Sequence, residues 1–414
     1  MNRPLQEVDE TIYNLIEKEN ARQRNGIELI ASENFTSKAV MEALGSIFTN
    51  KYAEGLPGKR YYGGNAVVDI LERLCQERAL KAFHCGSDWA CNVQPYSGSV
   101  ANAAVYLGVL KPHDRIMGLD LPAGGHLSHG YTTPSGKRLT ASATYYESIP
   151  YTVDAEGFID YDALEKLAAV VKPKLLICGA SAYSRDWDYK RFKEIADRCG
   201  ALLMADIAHI SGFVAAQLLN SPFEYCDIVT TTTHKTLGGP RAAIIFCRKA
   251  LQQQVNDAVF PGLQGGPHMN QIAAVAVQLS QVMMPDFRQY MQQVLANSRS
   301  LCSELQKRGY TIITGGTDNH LFLVDLRSKG INGSTAEKRL EAVGISVNKN
   351  TIPGDRSALS PSGIRIGVPA ATTRGMCEDD MVRIAEFIDR ALQGEDTEGL
   401  QPEVAKFASA FNWY

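Results

Sequence analysis

Short apolar runs alternate with helical periodicity between Lys174 and Cys247, and this alternation constrains the fold more than any other feature of the chain. Buried strands separated by amphipathic helices are typical of a mostly parallel sheet with helices on both faces. A helix at 189–198 is expected to end at Gly200. We predict four strands in this segment, at 175–178, 202–205, 227–232 and 242–247. The pattern therefore predicts an α/β fold.

The length of the chain, 414 residues, predicts two or three domains. Pro285 precedes a long amphipathic helix, which we take as the start of a second domain. We expect three parts, an N-terminal helical arm over 1–50, a large α/β domain over 51–284 and a smaller C-terminal α+β domain over 285–414.

Local patterns outside the central segment predict further elements. Ser334 and Glu337 have the spacing of a capping box, which predicts the start of a helix. We also expect strands at 311–314 and 321–326 and a final helix at 380–392. Another predicted helix has an apolar face made of Val67, Ile70, Leu71, Leu74, Cys75 and Ala82.

The composition excludes several classes of protein. Lys and Arg total 42 against 45 for Asp and Glu, so the chain lacks the positive charge of a nucleic-acid-binding protein. The nine Cys are scattered without a CxxC pair, as is usual for reduced thiols. The first ten residues lack the pattern of a secretory signal, and no apolar run reaches the roughly 18 residues of a membrane span. We expect a cytoplasmic protein with neither nucleic-acid nor membrane partners.

Asp206 and Lys235 follow neighbouring predicted strands. Taken singly, such an Asp more often caps a helix and such a Lys is more often solvated. Ligands bind at the carboxyl ends of parallel strands, where a lysine of lowered pKa can form a Schiff base and a carboxylate can bind a protonated ring nitrogen. Together the two residues fit a pyridoxal phosphate site.

Two further motifs, each with two interpretations, concern a phosphate and a metal. Ser97, Gly98 and Ser99 open an apolar helix, either as a plain N-cap or as a cradle for a phosphate. His126 and His129 have no third ligand at metal spacing, so we predict no metal site and expect His126 to stack or hydrogen-bond.

Arg365 stands in the apolar run SGIRIG, at 362–367. A guanidinium among apolar neighbours needs a partner. That partner is either a structural carboxylate or the carboxylate of an amino-acid substrate.

Ordered motifs extend over nearly the whole chain. They are ELIASENF at 28–35, TNKYAEGLPGKRYYGG at 49–64, NVQPYSGS at 92–99, LDLPAGGHLSHG at 119–130, SAYSR at 181–185, MADIAHISG at 204–212, TTTTHKT at 230–236, AVFPGLQGGP at 258–267, GGTDNHL at 315–321, VNKN at 347–350 and SGIRIG at 362–367. With these motifs the chain resembles the serine hydroxymethyltransferases, which are pyridoxal-phosphate enzymes of fold type I, the fold of aspartate aminotransferase. Ala123, Gly238 and Val368 depart from residues that are frequent in that family.

The resemblance implies a set of cofactor contacts. Lys235 would hold pyridoxal 5'-phosphate covalently, Asp206 would bind its ring nitrogen and His126 would stack on its ring. The remaining cofactor-binding residues would be Ser97, Gly98, Ser99 and His234 near the phosphate, Ser181 and His209 near the phenolic oxygen, and Tyr52 and Gly266 from the other subunit.

The resemblance also implies substrate and folate contacts. Ser32 and Arg365 would bind the substrate carboxylate with Tyr62 of the other subunit, and Glu54 and Thr232 would assist catalysis. The folate pocket would contain Glu54, Tyr61, Leu121, Gly125, Leu127 and Asn350.

The implied reaction is the reversible transfer of the hydroxymethyl carbon of serine to tetrahydrofolate, giving glycine and 5,10-methylenetetrahydrofolate. The implied assembly is a homodimer with shared sites, or a tetramer of two such dimers. Another reaction of the same cofactor, such as threonine aldol cleavage or transamination, is the alternative within enzymes. A cofactor-free protein that binds an mRNA is the alternative outside them, although the three site residues Asp206, Lys235 and Arg365 are intact.

Overall fold

A computed structural model describes residues 3–133, 135–355, 360–394 and 397–413. Its central sheet has seven strands, in the spatial order Trp89–Asn92, Ala243–Arg248, Ile228–Thr232, Leu202–Asp206, Leu175–Gly179, Arg115–Met117 and Glu147–Ser148. Only Ala243–Arg248 runs antiparallel to its neighbours. The predicted α/β fold with a mostly parallel sheet is confirmed.

The inner strands are almost entirely buried because helices cover both faces of the sheet. Every residue of Leu175–Gly179 and Ile228–Thr232 is buried. The four predicted strands of this segment and the helix Tyr189–Cys199 are confirmed to within two residues. A left-handed Gly200 ends that helix, as predicted.

A second, antiparallel sheet lies in the C-terminal part of the chain, with the spatial order Thr311–Ile312, Leu321–Asp325, Gly363–Gly367 and Asn348–Asn350. Arg365 is flanked by Leu323 and Asn348 in this sheet. A separate parallel pair joins Ile27–Glu28 to Ile345–Ser346. The N-terminal segment is therefore attached to the C-terminal part of the chain.

Helices surround both sheets. They are Leu5–Val8, Glu10–Asn25, Lys38–Leu44, Ala66–Ala82, Gly98–Val109, Ala141–Tyr145, Tyr161–Val171, Tyr189–Cys199, Ser211–Ala215, Gln252–Asp257, Met269–Val282, Pro285–Lys307, Gly333–Ala342, Pro369–Thr373, Glu378–Gln393 and Thr397–Ser409. Several begin at an Asp or Ser whose side chain accepts a backbone N–H, among them Asp9, Ser37, Asp160 and Asp188.

The predicted helix around Val67 exists as Ala66–Ala82, but its predicted apolar face is only partly right, since Cys75 and Ala82 are buried and three of the other predicted residues are exposed. Val67, Ile70 and Leu74 are 64%, 66% and 36% exposed. The buried side consists of Val68, Glu72, Cys75, Ala79 and Ala82. The helix carries two apolar stripes, and periodicity alone does not indicate which of them meets the core. The buried stripe includes the charged residue Glu72, whose burial is compensated by an ion pair with Arg60 at 2.6 Å.

The predicted capping box is wrong, although the helix that it was expected to start exists as Gly333–Ala342. Its N-cap is Asn332, whose side chain accepts the N–H of Thr335. Glu337 instead accepts the backbone N–H of Lys349 and pairs with its ammonium group at 2.6 Å. The Glu337 carboxylate thus forms an ion pair with Lys349 and does not cap the helix.

Two other boundaries differ from the predictions. The strand predicted at 311–314 stops at Ile312, and Thr314 has a left-handed φ of 63°. The helix predicted as the last one spans Glu378–Gln393 and is followed by Thr397–Ser409. That last helix buries Leu400, Val404 and Ala408, a spacing of four residues that predicts a helix.

None of the described helices is long and apolar enough to cross a membrane. The predicted division into an arm, a large domain and a small domain stays a prediction.

Candidate active site

The parallel strands bring several site residues to one edge of the central sheet. Asp206 is the last residue of its strand and pairs with Gly179 on one side and Thr230 on the other. The segments that follow these three strands contain Ser181, His209 and Lys235, and Arg365 reaches Ser181 from the second sheet. The sheet edge predicted for the site therefore collects these residues.

Lys235 lies in the loop after the strand Ile228–Thr232, and its Nζ donates a hydrogen bond to Thr232 Oγ1 at 2.8 Å. Burial lowers the pKa of Lys235 to about 8; the Asp206 carboxylate opposes this shift, and the Arg365 and Arg241 guanidinium groups add to it. A sizeable fraction of the amine is therefore neutral and nucleophilic near neutral pH.

The Asp206 carboxylate accepts three hydrogen bonds. Oδ2 accepts from Asn102 Nδ2 at 2.8 Å and from His129 Nε2 at 2.9 Å, and Oδ1 accepts from the Ala208 N–H at 3.1 Å. Burial alone raises the pKa of Asp206, but the hydrogen bond and charge of His129, the charge of His126 and the hydrogen bond from Asn102 together outweigh it and hold the pKa below its ordinary value. Asp206 is therefore an anion at neutral pH.

Burial keeps two histidines of the site, His126 and His209, in their neutral form. His126 Nδ1 lies 2.6 Å from Ser128 Oγ, and burial lowers the pKa of His126 to about 4. His209 stacks on His320 at 5.5 Å between ring centroids, and burial with the charge of Arg365 lowers the pKa of His209. Neutral rings at these places suit stacking and hydrogen bonding.

Arg365 is 8% exposed and binds only neutral acceptors, donating from Nε to Asn348 Oδ1 at 2.9 Å and from Nη1 to the Ser181 carbonyl at 2.6 Å. Burial lowers the pKa of Arg365 to about 10, which leaves it charged. No carboxylate within the described ranges lies at ion-pair distance from its guanidinium. The structural salt bridge considered for Arg365 is therefore not found there.

The predicted phosphate cradle has unused hydrogen-bonding groups. Ser97 stands at the N-cap position of the helix Gly98–Val109, but its side chain makes no capping hydrogen bond. The buried His234 Nδ1 also has no partner, and burial lowers the pKa of His234 to about 3. Gly98 packs against Thr232, because a Cβ at 98 would lie 2.8 Å from Thr232 Cγ2. Ser99 is exposed on the first turn of the helix.

The residues predicted to reach the site of another subunit form a second group, separate from Lys235 and Asp206. Tyr52 donates from its hydroxyl to Glu54 Oε1 at 3.0 Å and packs edge-on against Tyr62 at 5.1 Å. Its ring also covers Gly266, where a Cβ would be 3.2 Å away. Tyr61 is 74% exposed. Within the described part of this single chain, no hydrogen bond or ion pair joins this group to Lys235 or Asp206.

Four of the six predicted folate residues lie in or next to the loop that contains His126. Leu121, Gly125 and Leu127 belong to the same loop, and a Cβ at Gly125 would lie 1.9 Å from the Leu119 carbonyl oxygen. Thr351 Oγ1 donates to the Pro122 carbonyl at 3.0 Å, which places Asn350 next to this loop.

Ser32 lies in a half-buried turn close to the strand of Arg365. The N–H of Gly367 donates to the Leu29 carbonyl at 2.9 Å, and this bond joins the two segments.

Sequence reasoning missed the residues that support the predicted ones, above all Asn102 and Asn348. A signal for Asn102 was its polar side chain inside the apolar helix that follows Ser99. His129 was considered only as a metal ligand, although its structural role is a hydrogen bond to Asp206. No local pattern distinguishes Asn348.

The side chains present fit pyridoxal phosphate. Lys235 offers a partly neutral amine for an aldehyde and Asp206 offers an anion for a ring nitrogen. The free cap of the helix after Ser97 and the unpartnered His234 Nδ1 offer donors for a phosphate.

Comparison with known proteins identifies the family. The profile described as Serine hydroxymethyltransferase matches residues 5–388. Serine hydroxymethyltransferase 4 of Arabidopsis thaliana is 57% identical over 408 residues, which cover 94% of this chain and 87% of that protein. The mitochondrial enzyme of Schizosaccharomyces pombe is 55% identical, covering 95% of this chain and 83% of that protein, and the cytosolic enzyme of Oryctolagus cuniculus is 55% identical, covering 94% and 84%. The chain belongs to the serine hydroxymethyltransferase family.

Proposed function

We propose that this protein is a serine hydroxymethyltransferase that reversibly moves the hydroxymethyl carbon of serine to tetrahydrofolate, giving glycine and 5,10-methylenetetrahydrofolate. The family depends on pyridoxal phosphate and uses tetrahydrofolate as its co-substrate. One observation carries the proposal. A lysine of lowered pKa, a buried carboxylate and a buried guanidinium without an acidic partner among the described residues meet at one sheet edge.

Four residues act on the cofactor in this proposal, two at its aldehyde and two at its ring. When bound, pyridoxal phosphate supplies an electron sink for the bond that breaks at the substrate Cα. Lys235 would hold it covalently through its Nζ, and Thr232, which accepts a hydrogen bond from Nζ, would assist the release of the amine. Asp206 keeps a proton on the ring nitrogen, because an anion beside that atom stabilises the protonated form. His126 stacks on the ring as a neutral imidazole.

The remaining cofactor contacts are assigned by chemistry. The free helix cap at Ser97, Gly98 and Ser99 and the unpartnered His234 donate to the phosphate. Ser181 and His209 lie on the phenolic oxygen side, next to Arg365.

Arg365 and Ser32 bind the substrate carboxylate, with Tyr62 from a second chain. The two neutral acceptors of Arg365 orient its guanidinium without neutralising its charge. A carboxylate held there would orient the substrate Cα toward the cofactor, and this orientation would select the bond that breaks.

Glu54 handles protons during carbon transfer, and the loop with Leu121, Gly125 and Leu127 forms the pterin pocket together with Tyr61 and Asn350. The neighbouring Tyr52 hydroxyl holds the Glu54 carboxylate at 3.0 Å.

Each site takes residues from two chains in this proposal, so the protein is a homodimer. The group of Tyr52, Glu54, Tyr61, Tyr62 and Gly266 is exposed or half-buried and separate from Lys235 in one chain. Large apolar side chains are exposed near it and on the N-terminal helices, namely Leu15, Ile16, Met41, Ile47, Val67 and Ile70. We infer that an isologous contact buries them and that Tyr52 of one chain contacts the phosphate cradle of the other.

We also propose a cytoplasmic location and the three-part division at residues 50 and 284. The nine cysteines are free thiols in the structure, which suits a reducing compartment. Of two relatives with the same identity, one is named cytosolic and the other mitochondrial.

The activity itself is tested by adding tetrahydrofolate. We expect it to accelerate serine cleavage strongly, because the pterin traps the released one-carbon unit. Glycine formation from labelled serine measures this, with Lys235→Ala as the inactive control that also lacks the visible band of the bound cofactor. Equal rates with and without tetrahydrofolate would refute the folate assignment and favour a simple aldolase.

The lowered pKa of Lys235 predicts how cofactor attachment depends on pH. Only neutral amine reacts, so the rate of band formation after mixing apoprotein with pyridoxal phosphate should rise about tenfold between about pH 7 and pH 9, with a midpoint near the pKa of about 8. Stopped-flow absorbance measures the rate. A free lysine derivative serves as the control, and its rate should keep rising above pH 9. A midpoint like that of free lysine would contradict the lowered pKa.

Arg365→Lys tests carboxylate binding. A lysine keeps the charge but loses the planar fork, so we expect KM for serine to rise by roughly tenfold to a hundredfold. KM for tetrahydrofolate should stay within about twofold, because the pterin binds elsewhere. Arg191→Lys on the surface helix Tyr189–Cys199 is the matched control. An unchanged KM for serine would remove Arg365 from the substrate site.

Shared sites are tested by complementation. Lys235→Ala and Glu54→Gln chains are each expected to be inactive alone. Co-expressed, half of the dimers are mixed and each mixed dimer holds one intact site, so about a quarter of the parent activity should return. Lys235→Ala with Asp206→Ala is the control that should recover nothing, since both residues come from the same chain. No recovery with the first pair would place Glu54 in the site of its own chain.

A further inference from the structure

Asn102 is a buried amide that the proposed mechanism does not use. It lies in the helix Gly98–Val109, is 1% exposed and is surrounded in sequence by apolar residues. A buried amide needs its hydrogen bonds satisfied. Its partners are Thr230, Asp206 and Ser128, which belong to a strand, a strand end and the loop of His126.

The orientation of this amide is determined by its neighbours. Thr230 Oγ1 donates to Asn102 Oδ1 at 2.7 Å, and Asn102 Nδ2 donates to Asp206 Oδ2 at 2.8 Å. The opposite orientation would place the amide oxygen against the carboxylate oxygen, and neither has a hydrogen to donate. Only one orientation is therefore compatible with an anionic Asp206.

The second hydrogen of the same amide determines the tautomer of His126. Asn102 Nδ2 also donates to Ser128 Oγ at 2.8 Å, so the Ser128 hydroxyl is left to donate to His126 Nδ1 at 2.6 Å. The Ser128 backbone N–H points to the same Nδ1 at 3.2 Å. Nδ1 is thus an acceptor, and the proton of the neutral His126 ring is on Nε2.

His129 is the other side-chain donor to Asp206. Its Nδ1 accepts the His126 backbone N–H at 3.3 Å, and its Nε2 faces Asp206 Oδ2 at 2.9 Å. Asp206 therefore receives hydrogen bonds from Asn102, from His129 and from the Ala208 N–H. Donors to a carboxylate make it less basic, so a proton shared with a ring nitrogen stays on the nitrogen.

We propose that Asn102 is a positioning residue that keeps Asp206 in the form that pairs with a protonated ring nitrogen and, through Ser128, keeps His126 in its Nε2–H tautomer. This inference rests on the proposed binding of pyridoxal phosphate between Asp206 and His126. It adds one residue, 104 positions from Asp206 in the chain, that connects the Asp206 carboxylate with Ser128 and, through Ser128, with His126.

Asn102→Ala tests the proposal with two measurements on the bound cofactor. Loss of a hydrogen bond to a charged group should raise the dissociation constant of pyridoxal phosphate for the apoprotein by about tenfold or more. With cofactor labelled with ¹⁵N in the ring, the nitrogen resonance should move toward that of an unprotonated pyridine, because the proton shifts to a more basic Asp206.

Asn297→Ala is the matched control, because Asn297 is a fully buried amide that binds Thr372 and Met376 far from this cluster in the chain. It should leave the ¹⁵N resonance unchanged even if it lowers the melting temperature. Thr230→Val removes only the hydroxyl that orients the amide. It should move the ¹⁵N resonance toward that of an unprotonated pyridine by a smaller amount than Asn102→Ala does. This variant therefore tests the role of Asn102 if Asn102→Ala does not fold.

Two outcomes separate this inference from the proposed function. If the parent protein binds pyridoxal phosphate but Asn102→Ala and Thr230→Val keep its ring nitrogen resonance, the role of Asn102 is refuted and the function stands. If the parent protein forms no complex with the cofactor, the proposed function itself is refuted.

Discussion

The parallel register of three neighbouring strands determines the position of the whole site. Gly179, Asp206 and Thr230 are paired across these strands, so the segments that leave them start side by side. Because side chains alternate between the two faces of a sheet, a slip of one residue would turn Asp206 to the opposite face. Strands that are buried on both faces define this register through packing, and the helices that cover the sheet supply Asn102 from one of those faces.

The site contains a charge that the described part of the protein leaves uncompensated. Arg365 donates only to neutral acceptors, while the Asp206 carboxylate accepts hydrogen bonds from Asn102 and His129. Buried charges without partners cost stability, so an arrangement of this kind is expected where ligands supply the opposite charges. Lys235 belongs to the same electrostatic setting, because burial near Arg365 and Arg241 favours its neutral form. A cationic ring, a phosphate and a substrate carboxylate would complete the set.

Local sequence patterns predicted the core elements well and the periphery less well. Strands such as Leu202–Asp206 are continuous apolar runs, and such runs leave little choice of boundaries. The face of the helix Ala66–Ala82 was predicted only in part, because periodicity cannot show which of two apolar stripes meets the core. The capping box failed because Glu337 found a better partner in Lys349, a residue of another element. Both errors arise from contacts that are distant in sequence.

The sequence by itself determined the family and the chemical groups of the site. Lys235, Asp206 and Arg365 stand in motifs whose order along the chain is specific, and the type of each side chain limits the chemistry it can perform. The tertiary structure alone decided how these groups are supported: which donors hold Asp206, which way the Asn102 amide points, and that no acid among the described residues neutralises Arg365. The reason is physical, since hydrogen bonds and burial depend on atoms that folding brings together from positions a hundred residues apart, and no local pattern encodes those distances.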